Sequence, residues 1–285
     1  MGTVARINEG DWSDGTSLWR YMDIYGFLSL LTGQKLKFTN LSEFEDGFEG
    51  RMPFNNSATL NIDFSDDSKC FSRSIDEVVA LTENLESIRK RTWVTSWQQS
   101  DDECSLMWRV YGSRQNGVAL KTTAGNLIAA LDPTNDYIVG PVKYINYILD
   151  RVSDEQNFFF TFHKQQGYFA EQEFRIALTE SHESFDDNPQ LIQFDLNKAL
   201  EKIVLSPWAE KWQLDALKEV LRSFMLDPNL IGYSSILRVG CVFWLKLDKV
   251  SRRNWTRIPF EPGHGFWLKL DKDSSANWTH QIARG

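Results

Sequence analysis

In the segment GYFAEQEFRIAL, residues 167–178, the apolar residues Phe174, Ile176 and Leu178 recur at every second position. That alternation commits this part of the chain to a sheet. Side chains alternate across a strand, so Gln172 joins those three on one face, while Glu171, Glu173 and Arg175 share the other. At about 3.3 Å per residue the two carboxylates start ~7 Å apart. Carboxylates that close raise each other's pKa, and a neighbouring arginine opposes the shift. Taken alone, the pattern reads as the solvated, salt-bridged face of a half-exposed strand.

The rest of the chain supplies partners for that strand. SLWRYM reads as a short strand, DIYGFLSLLTG as a helix with Asp23 as N-cap and Gly33 as its stop, and KLKFTN as the next strand. LSEFEDGFEGRMPFNN is a turn-rich loop, in which Phe44 and Phe48 at four-residue spacing anchor the loop to the core. Glu45, Asp46 and Glu49 of this loop could instead border a nucleotide pocket. Helical periodicity runs over residues 75–91, TWVTSW is a β-branched and aromatic strand, and CSLMWRVYG is a helix. GVALKTT and IVGPVKYINYI follow as strands, the second kinked at Gly140-Pro141, and a helix around 153–166 leads into GYFAEQEFRIAL. KIVLSPW is a further strand and AEKWQLDALKEVLRSFM an amphipathic helix. FWLKLDK occurs at 243 and again at 266, each copy followed by NWT four residues later. Two copies are too few for a solenoid, which needs at least ~3 units. They read as a local duplication, two similar strands with a packing role.

Composition removes several function classes. The 285 residues are 42% hydrophobic and 25% charged, an ordinary globular balance, with 19 Phe and 11 Trp favouring a sheet-rich core and ring-lined pockets. A formal charge of −8 argues against a chain-wide electrostatic grip on nucleic acid. Cys70, Cys104 and Cys241 are odd in number and widely spaced, which gives neither a disulfide framework nor a zinc pattern. The four histidines (163, 182, 264, 280) show no paired ligand spacing. GSRQNG lacks the glycines and lysine of a phosphate-cradling loop. The N-terminus lacks the basic-then-apolar pattern of a signal peptide, and no apolar run approaches ~18 residues. The expectation is a soluble cytoplasmic protein with no membrane partner and no metal.

Four segments carry chemistry in a suggestive order: a strand with Arg20, a strand with Ser96, a helix with Trp108 and Tyr111, and a strand with Glu171 and Glu173. An arginine, a serine-bearing strand and a Glu-x-Glu strand in that order resemble the R-S-E arrangement of ADP-ribosyltransferases. The residue types suit the chemistry of NAD. An arginine fork grips a diphosphate, and a carboxylate beside the ribose stabilises the oxocarbenium-like state as the nicotinamide bond breaks. The resemblance implies an α+β fold with an ADP-ribosyltransferase-like split mixed β-sheet and flanking helices. It implies Glu173 as central catalytic carboxylate, Glu171 as the proton acceptor for the attacking group, and Ser96 as the orienting hydroxyl. Arg20, with Tyr21 beside it, would hold the diphosphate or ribose, and Trp108 and Tyr111 would stack on nicotinamide or adenine. Many of these enzymes have Ser-x-Ser where this chain has Val94-Thr95-Ser96-Trp97, which leaves open whether Thr95 or Ser96 faces the pocket. Arg175 would hold Glu173 ionised and in place.

A second resemblance covers residues from about 18 to about 240. LWRYMDIYGFLSLL, KLKFTNLSEFEDGFEG, VTSWQQSDDECSLMWRVYGSRQNGVALKTT, GPVKYINY and EQEFRIAL are similar to the bacterial family known as domain of unknown function 2971. Its frequent defence-related settings imply a toxin or antiphage effector. Together the two resemblances imply an NAD-dependent ADP-ribosyltransferase in the glycosyltransferase class. Its core would span 1–206, with a C-terminal helix and Trp-rich β repeat, 207–285, packed on it. The implied partners are NAD as substrate, a macromolecular acceptor that is protein or single-stranded nucleic acid, and an antitoxin or regulatory protein.

Rival chemistries remain. Asp101, Asp102 and Glu103 with Glu171 and Glu173 could gather a divalent metal for a nuclease, although an Asp or Ser capping the following helix is the plainer reading. Cys104 could act as a nucleophile with His163. A non-catalytic interaction module of a defence or toxin–antitoxin complex, docking through the Trp-rich tail, is the alternative outside enzymology.

Overall fold

In the computed structural model the described residues are 2–57, 75–113, 115–152, 157–179 and 189–236. The chain divides into two units after Cys241, and all described residues lie in the first. Both FWLKLDK copies, Cys70, Cys241, and the histidines at 182, 264 and 280 fall outside the described residues.

The chain opens with β1 (Val4–Arg6), β2 (Ser17–Asp23), α1 (Ile24–Gly33) and β3 (Lys35–Asn40). Asp23 caps α1 by accepting from the Gly26 N–H at 2.7 Å. The stop is Gln34, not Gly33: Gln34 takes the left-handed conformation (φ 46°) and its N–H closes on the Leu30 carbonyl. Next come α2 (Phe54–Ser57), α3 (Ile75–Lys90), β4 (Thr92–Gln99), α4 (Ser105–Val110), β5 (Gly117–Thr123) and α5 (Ala124–Ala129). The chain continues through β6 (Tyr137–Pro141), β7 (Lys143–Ile145), β8 (His163–Gln165) and β9 (Glu173–Thr179). It closes with β10 (Gln190–Gln193), α6 (Leu196–Ala199), β11 (Lys202–Leu205), α7 (Lys211–Ser223) and β12 (Ile231–Tyr233).

Two expectations are corrected around β9. The helix expected at 153–166 is instead a 3-10 helix at Asn157–Phe162 followed by β8. Its aromatic and Thr residues are poor helix formers, and Phe160 and Phe162 are taken up by two separate apolar clusters. Glu171 is not on the strand either. It ends a second 3-10 helix, Gln166–Glu171, and left-handed Gln172 (φ 43°) turns the chain before β9 begins at Glu173.

Ten strands form one mixed sheet, and β7 pairs with β8 separately. Along the main path the order is β1-β6-β9-β4-β2-β5-β11-β12. β1–β6 and β11–β12 are parallel, while the central pairings are antiparallel. The result is an α+β architecture with flanking helices. α1, α5, α6 and α7 bury Phe27, Leu31, Leu127, Leu196 and Leu221 on one face with Leu18, Trp93, Trp97, Leu120, Phe174 and Ile176. On the other face α4 sets Met107 and Trp108 against Trp19, Tyr21, Ala119 and Val204.

The sheet forks at β4. One edge of β4 pairs with β9 along seven residues, Thr92 to Gln98. The other edge pairs with β3 at Trp93 and Val94, then with β2 at Gln98 and Gln99. Thr95, Ser96 and Trp97 face the opening between β3 and β2, with no ladder partner on that edge among the described residues.

Candidate active site

Alternation along β4 decides which predicted residues meet. Trp93, Thr95 and Trp97 point to the face covered by α1, and Val94, Ser96 and Gln98 to the opposite face. Residues directly opposed across an antiparallel pair share a face, so Ser96 meets Arg175, and Gln98 meets Glu173. The Ser96 hydroxyl donates to Glu173 Oε1 at 2.5 Å. Between the two candidates on β4, Ser96 therefore faces Glu173.

Glu173 is 4% exposed and fully engaged. Arg175 Nε donates to Oε1 at 2.6 Å, Lys164 Nζ to Oε2 at 3.3 Å, and the Glu173 N–H to the Tyr144 hydroxyl at 2.8 Å. Burial pushes this carboxyl up, but the charges of Arg175 and Lys164, with the Arg175 and Ser96 hydrogen bonds, outweigh it and hold the group well below its ordinary range. Arg175 is itself closed: Nη1 donates to the Thr161 carbonyl at 2.5 Å and Nη2 to Glu49 Oε2 at 2.9 Å. Its expected role of holding Glu173 in place describes its contacts.

Lys164 had no signal in the sequence, because a lone lysine after FFFTFH looks like any surface lysine. Its side chain is 6% exposed, and its ammonium lies 2.6 Å from Glu171, 3.1 Å from Glu49 and 3.3 Å from Glu173. At Glu49 Oε1 the contact is an ion pair without hydrogen-bond geometry. Burial draws the Lys164 pKa down, yet Glu173 and Glu49 more than reverse this, and the ammonium stays charged. Three carboxylates thus share two cations, Lys164 and Arg175.

Glu49 is fully buried, and its loop is fixed by its neighbours. Arg89 Nε donates to the Glu49 carbonyl at 2.9 Å, and Gly50 (φ 73°) makes the turn where a Cβ would sit 2.9 Å from Leu41. Of the two expected anchors, Phe44 packs on the core under the Arg175 guanidinium, but Phe48 is 48% exposed and meets Tyr147 with ring centroids 5.2 Å apart. An apolar groove of about 710 Å³ opens beside Phe48, Met52, Phe54, Tyr147 and Ile148.

Glu171 reaches the cluster from its 3-10 helix through Lys164, and the Tyr111 hydroxyl donates to its Oε1 at 2.7 Å. Tyr111 is 46% exposed, so one edge of the cluster is open to solvent. Burial and the Glu171 bond keep the phenol protonated. Trp108 and Tyr21 lie in the core instead. Trp108 is wholly buried, donates to Glu103 Oε2 at 3.2 Å and packs edge-on against Tyr21 at 5.0 Å. Tyr21 accepts the Cys104 N–H at 2.8 Å. Neither ring offers a free face for stacking.

Arg20 stands apart from Glu173. Its cross-strand partner Leu120 belongs to the core on the α1 side, and its guanidinium bonds the Thr95 hydroxyl and lies 5.7 Å from the Trp97 ring. Arg20 and Ser96 are therefore on opposite faces of β4, at the fork. Among the described residues Arg20 is the only arginine at least partly buried that has no carboxylate partner. Burial alone lowers its pKa to about 10.

The acidic loop serves another purpose. Glu103 accepts from Ser234 Oγ, Ser235 N–H and Ser235 Oγ at 2.5–3.0 Å and thereby ties down the residues after β12. Asp101 and Asp102 are exposed, and the N-cap of α4 is Cys104, which makes no side-chain cap bond, so no Asp or Ser caps the helix. Cys104 packs on the Trp19–Tyr21 cluster, while His163 lies on β8. A divalent ion at Glu171 and Glu173 would have to displace Lys164 and Arg175.

No family model matches the chain, and no curated protein matches it. Among solved structures, Thermus sp. 2.9 DarT in complex with carba-NAD+ is similar at 8% identity, over 78% of this chain and 97% of that chain, with a TM-score of 0.37.

Proposed function

We propose that the chain is an NAD-dependent ADP-ribosyltransferase whose central pair is Ser96 and Glu173. The observation that carries this reading is the 2.5 Å bond from the Ser96 hydroxyl to a buried, ionised Glu173, with Glu171 tied to the same lysine. A carboxylate held ionised by Arg175 and Lys164 is a poor proton acceptor and a good fixed negative charge. In this reading Glu173 stabilises the cationic ribose as the bond from C1′ to the nicotinamide nitrogen breaks, the electron pair leaving with nicotinamide. The acceptor then attacks C1′, and its proton passes to Glu171, the more exposed carboxylate. Arg20 supplies a guanidinium for the diphosphate with no competing acid among the described residues. Since it sits across β4 from Ser96, the dinucleotide would lie over the unpaired Thr95–Trp97 edge of the fork. A bacterial toxin or defence effector related to domain of unknown function 2971, acting on protein or single-stranded nucleic acid, is the setting that fits the sequence resemblance.

The test is release of nicotinamide from labelled NAD, with label transfer to lysate components, for wild type, Glu173→Gln and Ser96→Ala. Glu173→Gln leaves two carboxylates facing two cations, so the fold is expected to survive. Loss of at least ~100-fold in release is expected. No release by wild type with any acceptor sinks the reading. The apolar groove, where Phe54 and Ile148 are each 65% exposed, favours a second reading as an interaction module. Equal behaviour of wild type and Glu173→Gln in cells would support that one.

A further inference from the structure

We propose that Gln98 recognises a primary carboxamide, the nicotinamide end of NAD. The location of that end rests on the transferase reading; the recognition chemistry rests on Gln98 itself. Gln98 lies on the Ser96 face of β4, between Glu173 of β9 and Trp19 of β2 in the cross-strand register. It is 4% exposed, yet no hydrogen bond from the described residues reaches its Oε1. The polar groups around it are spoken for: Ser96 and Arg175 bond Glu173, and Trp19 Nε1 donates to the Ser100 carbonyl at 3.0 Å.

Buried polar atoms in folded proteins are nearly always satisfied, so an acceptor without a partner in the chain takes its donor from outside it, a water or a ligand. A carboxamide presents a carbonyl acceptor and an amide donor side by side in one plane. Its best complement is a second primary carboxamide, which returns one donor and one acceptor in the same plane. The leaving group of the proposed reaction carries such a group. The ribose carbon that loses it must stand next to Glu173, and directly opposed cross-strand residues have Cβ atoms about 4.5–5.5 Å apart. Gln98 is thus one side chain away from the bond that breaks, with the Trp19 indole as an apolar wall.

The experiment titrates the full-length protein with nicotinamide, nicotinic acid, 3-acetylpyridine and NAD, by calorimetry and by tryptophan fluorescence, for wild type and Gln98→Met. The wild type is expected to bind nicotinamide at least ~10-fold tighter than nicotinic acid or 3-acetylpyridine, because a site built around a hydrogen bond rejects analogues that lack it. Gln98→Met is expected to lose that preference, and to raise KM for NAD more than it lowers kcat. Gln98→Asn, which keeps the amide but withdraws it by one methylene, should weaken nicotinamide binding with the fold intact, and serves if the methionine variant does not fold. Unchanged discrimination in the folded variant overturns the inference, as does a wild type that binds nicotinamide no better than its analogues. A water molecule on Oε1 in place of a ligand would give that result. Discrimination without any nicotinamide release from NAD sinks the transferase reading alone, and release with unchanged discrimination sinks the carboxamide site alone.

Discussion

The two faces of β4 treat charge in opposite ways. On the Ser96 side, Glu49, Glu171 and Glu173 meet Lys164 and Arg175 in a nearly dry cluster in which each cation touches at least two carboxylates. On the Thr95 side, Arg20 has a hydroxyl and an indole ring but, among the described residues, no anion. Buried ions are costly unless paired, and a cluster built around mutual neutralisation is damaged by the loss of any member. An unpaired buried cation is costly already, so its removal can relieve the fold. One face has fixed its electrostatics within the chain; the other leaves a positive charge for something to neutralise.

The largest effect expected from that contrast comes from Arg175→Met. The substitution leaves Glu173 and Glu49 facing each other with one lysine between them, at positions 4% and 0% exposed. A destabilisation of about 3–5 kcal/mol is expected, read from the urea midpoint. A shift below ~1 kcal/mol would mean the cluster is wetter than its burial indicates.

Lys164→Met should cost less, about 1–3 kcal/mol, because Arg175 still serves Glu173 and Glu49 and Glu171 keeps the Tyr111 bond. It should also move the acid limb of any pH–activity profile upward, since Glu173 loses one of the two charges that keep it ionised. An unshifted limb with reduced stability would confine Lys164 to a structural part.

Acid should probe the same face more gently. The folded-state pKa of Glu173 lies below its ordinary value of 4.5, so its contribution to stability is complete above that value and is lost as pH falls through the folded pKa. Thermal melts between pH 6 and pH 3 should show the loss beginning below about pH 4.5 in the wild type, with Glu173→Gln flatter over the same window. Parallel curves for the two proteins would assign the acid sensitivity to other carboxylates.

The strands that build both faces were legible because alternation and β-branched or aromatic content are local signals. SLWRYM, KLKFTN, TWVTSW and GVALKTT all became strands, and Asp23 capped its helix. The Ser96–Glu173 contact joins residues 77 apart, and it follows from strand order and register, which no local pattern states. Lys164 was invisible for the same reason, since burying its ammonium depends on three acids brought in from 49, 171 and 173. Glu171 shows the limit of extrapolating a period: alternation continued back from Phe174 places residue 171 on the strand, but left-handed Gln172 breaks it. Arg20 stands out by residue type and order, but its face depends on how β2 is registered against β4 and β5, which neither segment's own pattern states.

That register yields the smallest and most discriminating expectation. Arg20→Gln removes a guanidinium that, among the described residues, bonds the Thr95 hydroxyl and lies near the Trp97 ring. Glutamine can still bond the hydroxyl, and the desolvation that lowers the arginine pKa to about 10 is relieved. Stability should therefore change by less than about 0.5 kcal/mol, or rise. An anion that binds there favours the folded state in proportion to its concentration over Kd. Pyrophosphate or NAD should accordingly raise the melting temperature of the wild type and leave Arg20→Gln unmoved. The Ser96 face predicts the reverse pattern, with destabilisation when either of its cations is removed and little response to anions. A wild type indifferent to both ligands would mean that Arg20 is a tolerated burial, and the two faces would then differ only in how much of their charge the fold has neutralised.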